Sequence, residues 1–166
     1  MINKINKLSK SEFIKVFANI FENTRWIAEE LHNQKPFDNF EELSSKILNI
    51  FEVTTKEKQL KILNSHPDLA DKTKISSLSI ESREEQSKAG LDQCSEEEFI
   101  EFKNLNEKYK KKFGFPFIYA VKGKSKIEIL SNFRRRISYD IKDEFIEAKK
   151  QVKKIASLRL NEINDK

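Results

Sequence analysis

The sequence predicts an all-α fold, a multi-helix bundle built as a single domain over residues 1–166, on three observations. Glycine and proline number only three each in 166 residues, so few points break a helix. Between those points the apolar residues recur at i, i+3, i+4 and i+7, the spacing of one buried helical face. Ser-x-x-Glu pairs stand ahead of several of these runs, the pattern of a capping box at a helix start.

The elements follow in order. Ser9 and Glu12 open a helix whose inward face is Phe13, Val16, Phe17, Ile20 and Phe21. A short helix carries Trp26, Ile27 and Leu31 and ends before Pro36. Phe40, Leu43, Ile47, Ile50 and Phe51 make the next stripe. Thr54 and Glu57 then start a helix with Leu60 and Leu63 inward, which stops at His66-Pro67. A helix runs from about Ile80 to Leu91. Ser95 and Glu98 cap a longer one with Phe99, Phe102, Asn106, Tyr109 and Phe113 inward, closed by Gly114. Residues 115–121, Phe-Pro-Phe-Ile-Tyr-Ala-Val, are strongly apolar without helical spacing and form a short extended segment. Ser125 and Glu128 cap a helix with Leu130, Phe133 and Ile137. From Asp140 a last long helix buries Ile141, Phe145, Ala148, Val152, Ile155 and Ile163.

Composition excludes several classes of function. Lys+Arg 32 against Asp+Glu 27 gives a net charge of +5, but the two signs interleave along the chain. That describes a solvated surface rather than a nucleic-acid arm, and no nucleic-acid partner is expected. Cys94 is the single cysteine, so neither an intrachain disulfide nor a thiolate metal cluster can form. With His32 and His66 as the only histidines, no metal site is expected either. No apolar run spans a bilayer and the N-terminus lacks a signal-peptide core, so a cytoplasmic protein without a membrane partner is expected.

Chemistry is expected where helices break. His66 precedes Pro67, which disfavours helical backbone and places an imidazole on a turn at the end of an apolar helix. Imidazole alone titrates near neutral pH without help, so His66 is a candidate acid or base, although a structural histidine is the commoner reading. Ser82, Glu85 and Gln86 read either as a capping box or as a hydroxyl, a carboxylate and an amide converging near a helix start. The peptide groups of Phe117, Ile118, Tyr119, Ala120 and Val121 lack helical partners and could meet a planar, amide-rich ligand, or the segment could be a buried connector. Arg134-Arg135-Arg136 reads as a solvated helix face, and Trp26 as a core anchor. Arg159 lies in a mostly apolar stretch and needs a partner, either an internal carboxylate or a ligand.

Together these motifs resemble the 2-oxo-4-hydroxy-4-carboxy-5-ureidoimidazoline (OHCU) decarboxylase family of urate breakdown. The resemblance covers nearly the whole chain. It runs from Phe21-Glu22-Asn23-Thr24-Arg25-Trp26-Ile27-Ala28-Glu29 and Lys35-Pro36-Phe37, through His66-Pro67-Asp68-Leu69-Ala70 and the run Ser82 to Leu91. It ends with Phe113-Gly114-Phe115-Pro116-Phe117 and Ile155-Ala156-Ser157-Leu158-Arg159-Leu160. Each motif alone is weak; their order and spacing are specific.

The resemblance implies an all-helical carboxy-lyase without a cofactor, commonly a homodimer, that converts a small ureidoimidazoline to (S)-allantoin in purine catabolism. It implies His66 as the catalytic residue, with Glu85 beside it in the chemistry. Pro67, Ser82, Gln86, the 117–121 backbone and Arg159 then bind substrate. Urate oxidase and hydroxyisourate hydrolase are expected as separate upstream proteins, since no fused hydrolase domain follows in this sequence. Two positions depart from the family pattern: Asp71 stands where glycine is frequent, and Tyr139 where asparagine is usual. Neither falls on a motif residue, so both bear on loop detail. The alternatives are a paralogue acting on another ureido compound, or a basic helical nucleic-acid-binding domain.

Overall fold

The computed structural model describes residues 1–71 and 77–166. Among these residues the chain forms nine α-helices: α1 (Ile2–Lys7), α2 (Lys10–Phe17), α3 (Arg25–His32), α4 (Phe40–Val53), α5 (Lys56–Ser65), α6 (Ile80–Lys88), α7 (Glu96–Phe113), α8 (Lys126–Arg136) and α9 (Ile141–Asn164). A short 3₁₀ turn spans Leu91–Gln93. The all-α expectation holds, and α1 is an addition to the elements read from the sequence.

Three of the expected capping boxes are present. Ser9, Ser95 and Ser125 each accept from the backbone N–H three residues on, while Glu12, Glu98 and Glu128 reach back to the cap N–H. Gly114 ends α7 in the left-handed region at φ 79°, where a side chain would be strained. Two starts differ from the expectation. Thr55, not Thr54, caps α5, since its Oγ1 accepts from Lys58 N–H at 3.2 Å. Ser79 caps α6 by accepting from Ser82 N–H at 3.1 Å, which moves Ser82 inside the helix. That helix also stops earlier than Leu91, because Gly90 turns left-handed at φ 75°.

The chain divides into two compact units: residues 1–62 with 153–166, and residues 63–152. In the first, α2 packs on α3 and α3 on α4. Phe13 is fully buried there, 4.5 Å from the Phe17 ring, and His32 meets it edge-on at 5.3 Å. Phe21 stacks on Phe51 at 5.0 Å. Val16 is 40% exposed rather than inward, because α2 is only two turns long and Ile14 completes its buried stripe.

In the second unit the core is aromatic. Phe117 stacks on Phe133 at 3.9 Å and nearly parallel, and Tyr109 meets both edge-on. Phe102, Asn106, Tyr109 and Phe113 form the buried face of α7, with Phe99 half-buried at its margin. Ile141 is 60% exposed, against expectation: it is the first residue of α9, whose inward face begins at Glu144.

Candidate active site

His66 follows the last residue of α5, and its N–H still bonds the Leu63 carbonyl at 3.2 Å, so the imidazole leaves from a helix end. It is buried. The loop that follows is clamped from two helices. From α6, Gln86 Oε1 accepts from Ala70 N–H at 3.0 Å, and Gln86 Nε2 donates to the Asp68 carbonyl at 3.3 Å. From α7, Asn106 Nδ2 donates to the Leu69 carbonyl at 3.0 Å, and Lys110 Nζ pairs with Asp68 Oδ2 at 2.6 Å. Ala70 sits at φ 56°, a conformation that costs an alanine about 1 kcal/mol or more and persists only where the surroundings enforce it. These four bonds supply that enforcement.

The same Gln86 contacts fix where α6 stands relative to His66. Ser82 and Gln86 are buried and Glu85 is half-buried, on the first two turns of that helix. The capping reading of Ser82 and Glu85 is thereby corrected: Ser79 caps, and both residues are interior to α6. Gln86 has a role that the sequence did not disclose, as the brace of the His66 loop. A pocket of about 180 Å³ adjoins this loop, lined by Ala70, Gln86, Leu91 and Phe99 among others. Gln86 is the one candidate residue among its walls.

Residues 115–121 are non-helical, as expected, and all but Tyr119 are buried. Two of their backbone groups already have protein partners. The Ile118 carbonyl accepts from Arg136 Nη1 at 2.7 Å, and the Ala120 N–H donates to Gln151 Oε1 at 3.0 Å. The reading of Arg136 as part of a solvated face is wrong. Its side chain is 1% exposed, it donates from Nε and Nη2 to Glu144 Oε1, and it lies 4.5 Å over the Phe117 ring. Tyr109 also donates to that carboxylate oxygen, at 2.5 Å, and burial beside the anion pushes its phenol well above the ordinary tyrosine range. Arg134, on the same helix, does face outward and pairs with Glu101.

Arg159 belongs to the first unit, where it is 4% exposed. It donates to the Asn19 carbonyl at 2.7 Å and pairs with the buried Glu22 carboxylate at 3.1 Å. Of the partners open to it, the internal carboxylate is present.

Sequence reasoning missed Arg136, Glu144, Gln151 and Lys110. The signal for the first three was phase. Arg136 falls three residues after Phe133, while Glu144 and Gln151 flank Ala148 at four and three residues, so each occupies the apolar stripe of its helix. Among the described residues no cluster of histidine, cysteine and carboxylate side chains is arranged to hold a metal ion.

The OHCU decarboxylase family model matches residues 6–161. The 2-oxo-4-hydroxy-4-carboxy-5-ureidoimidazoline decarboxylase of Haloferax volcanii is 36% identical over 97% of this chain and 94% of its own length. The mouse protein of the same name is 33% identical, over 96% of this chain and 90% of its own length. A uric acid degradation bifunctional protein from a Bacillus strain is 40% identical, but the chain spans only 32% of its length. Among solved structures, an (S)-allantoin synthase superposes with a TM-score of 0.78 at 25% identity, over 98% of this chain and 53% of that one. An OHCU decarboxylase structure determined in the presence of (S)-allantoin superposes at 0.74 and 22% identity, over 91% and 99%, which establishes the shared fold. The chain belongs to the OHCU decarboxylase family.

Proposed function

We propose that this protein decarboxylates 2-oxo-4-hydroxy-4-carboxy-5-ureidoimidazoline to (S)-allantoin, with His66 as the proton-transfer residue and Glu85 as its carboxylate partner. The observation that carries this reading is the clamp on the His66 loop. Gln86 bonds residues 68 and 70 directly, so the helix bearing Ser82 and Glu85 is locked against the turn that presents the imidazole.

The chemistry asks little beyond that. The substrate's carboxylate and hydroxyl share one ring carbon, next to a ring C=N. As the bond to the carboxylate breaks, carbon dioxide leaves and the electron pair passes into the C=N, whose nitrogen takes up a proton. The resulting enediamine-like intermediate then accepts a proton on the neighbouring ring carbon while the hydroxyl loses its own and becomes the carbonyl. The substrate is its own electron sink, so the reaction by its nature needs positioned proton donors and acceptors rather than an electron-accepting group. His66 delivers the carbon-bound proton from one face, which sets the handedness of the product, and Glu85 shares in the proton transfer. Pro67, Ser82, Gln86 and the 117–121 backbone bind the ring and ureido amides, and holding them in register is itself catalytic; the family resemblance alone assigns Arg159 to substrate binding.

The whole chain, 1–166, acts as one functional domain, and the family resemblance supports a homodimer. The single cysteine fits the reducing cytoplasm, and no described helix is long and apolar enough to cross a membrane. Urate oxidase and hydroxyisourate hydrolase activities precede this step in urate breakdown. The test generates the unstable substrate in situ with those two enzymes and follows allantoin by circular dichroism. Faster build-up of the (S) enantiomer on adding the protein is expected. An unaltered time course, or turnover confined to a different ureido compound, would contradict the assignment.

A further inference from the structure

An arginine side chain that is 1% exposed demands an explanation beyond stability. Burying an ion pair costs much of what its attraction returns, and well-packed apolar residues often do as well. Arg136, held by Glu144, does something that an apolar residue could not: it reaches a backbone carbonyl in a segment without regular hydrogen bonding. The guanidinium is oriented on three sides, by two donations to Glu144, by the Phe117 ring beneath it and by the Ile118 carbonyl. Tyr109 orients Glu144 in turn. The second tether has the same construction, since Gln151 accepts from Ala120 N–H while its amide donates to Glu147 at 2.9 Å. The two tethers fall on residues 118 and 120, on either side of Tyr119, which is the half-buried residue of the segment.

We propose that Arg136 and Gln151 are positioning residues that hold the 117–121 backbone in the conformation that binds the substrate amides. This rests on the reading of that segment as substrate-binding. Neither side chain needs to touch the substrate. Helix α7 ties the arrangement to the rest of the site. Its Asn106 holds the Leu69 carbonyl of the His66 loop, and Tyr109, on the same buried face, joins the network behind Ile118. The loop and the segment therefore share one brace.

Two variants of the full chain test this, each read in two ways. Arg136→Lys keeps a charge for Glu144 but lacks the planar fork that reaches Glu144 and Ile118 together. Gln151→Leu removes the acceptor for Ala120 N–H while keeping similar bulk. In both, hydrogen exchange of the 117–121 amides is expected to rise about tenfold or more, with α7 amides within about twofold. KM for substrate generated in situ is expected to rise about tenfold, with kcat within about threefold. Unchanged exchange across 117–121 in both variants overturns the tethers, whatever the activity. Faster exchange with unchanged KM overturns their link to substrate binding. A wild-type protein inactive on this substrate overturns the functional reading instead, and the exchange data still decide the tethers. If Arg136→Lys fails to fold, Gln151→Leu, which breaks no ion pair, carries the same measurement.

Discussion

Gln86 sits at the junction between structure and chemistry. Its amide makes two bonds to a loop whose Ala70 has left-handed backbone, and Ala70 N–H is buried. Truncating it removes both bonds and leaves that N–H without an acceptor, a cost of about 2 kcal/mol. Gln86→Ala should therefore lower the urea midpoint at constant m-value, and lower decarboxylation as the His66 turn loosens. A midpoint equal to wild type would show that the clamp contributes nothing. At this scale the sequence was legible for residue type more than for role. The proline after His66 announced a turn, but nothing in the Ser-x-x-Glu-Gln spacing says that the glutamine amide faces back to Asp68 and Ala70. That contact spans 16 and 18 residues and includes a left-handed alanine, which no local rule anticipates. Arg136 was misread for a related reason. Three consecutive arginines look solvated, and only the phase of the last one, in line with Phe133, marks it as inward.

At the scale of elements, helix starts explain both what was readable and what was not. The boxes at Ser9, Ser95 and Ser125 formed as their spacing predicts. At α6 two serines stand one turn apart, Ser79 and Ser82, and either could cap. Ser79 takes the extended backbone of a cap, at ψ 157°, and Ser82 becomes the third helical residue. The choice depends on how the chain enters from the preceding residues, which sequence spacing does not encode. The same boxes set an acid limit on stability. Hydrogen bonds from Ser9, Ser95 and Ser125 hold the Glu12, Glu98 and Glu128 carboxyls below their ordinary value, 4.5 in a free chain. Groups whose folded pKa is depressed stabilise the fold above the unfolded value and lose that contribution as pH falls through the folded one. Thermal stability should thus decline as pH falls below about 4.5, and Ser9→Ala, which removes the hydroxyl that donates to the Glu12 carboxylate and costs about 1 kcal/mol near neutral pH, should cost less in acid. An undiminished effect of Ser9→Ala at low pH would contradict the box.

At the scale of the molecule, scarce glycine and proline and helical periodicity made an all-α chain legible, and the ordered motifs made the family legible. What stayed hidden is the interior polar framework of the second unit, where Asn106, Tyr109, Arg136, Glu144 and Gln151 stand among phenylalanines. Such a framework arises from pairings between elements far apart in sequence, as when Tyr109 of α7 meets Glu144 of α9, and periodicity reports only that each residue points inward. Its placement beneath the loop of His66 and the 117–121 segment gives the unit a rigid base for chemistry carried by non-helical backbone.

On the proposed reading, this base serves a proton transfer by His66 onto the decarboxylated intermediate. The most direct measurement compares wild type with His66→Ala in the coupled assay, reading the initial rate of (S)-allantoin appearance by circular dichroism, with native secondary structure and melting verified for both. A positioned acid or base contributes about 10²- to 10⁴-fold, so His66→Ala should lose at least about 100-fold in kcat. A folded His66→Ala protein that forms (S)-allantoin at the wild-type rate would contradict the account.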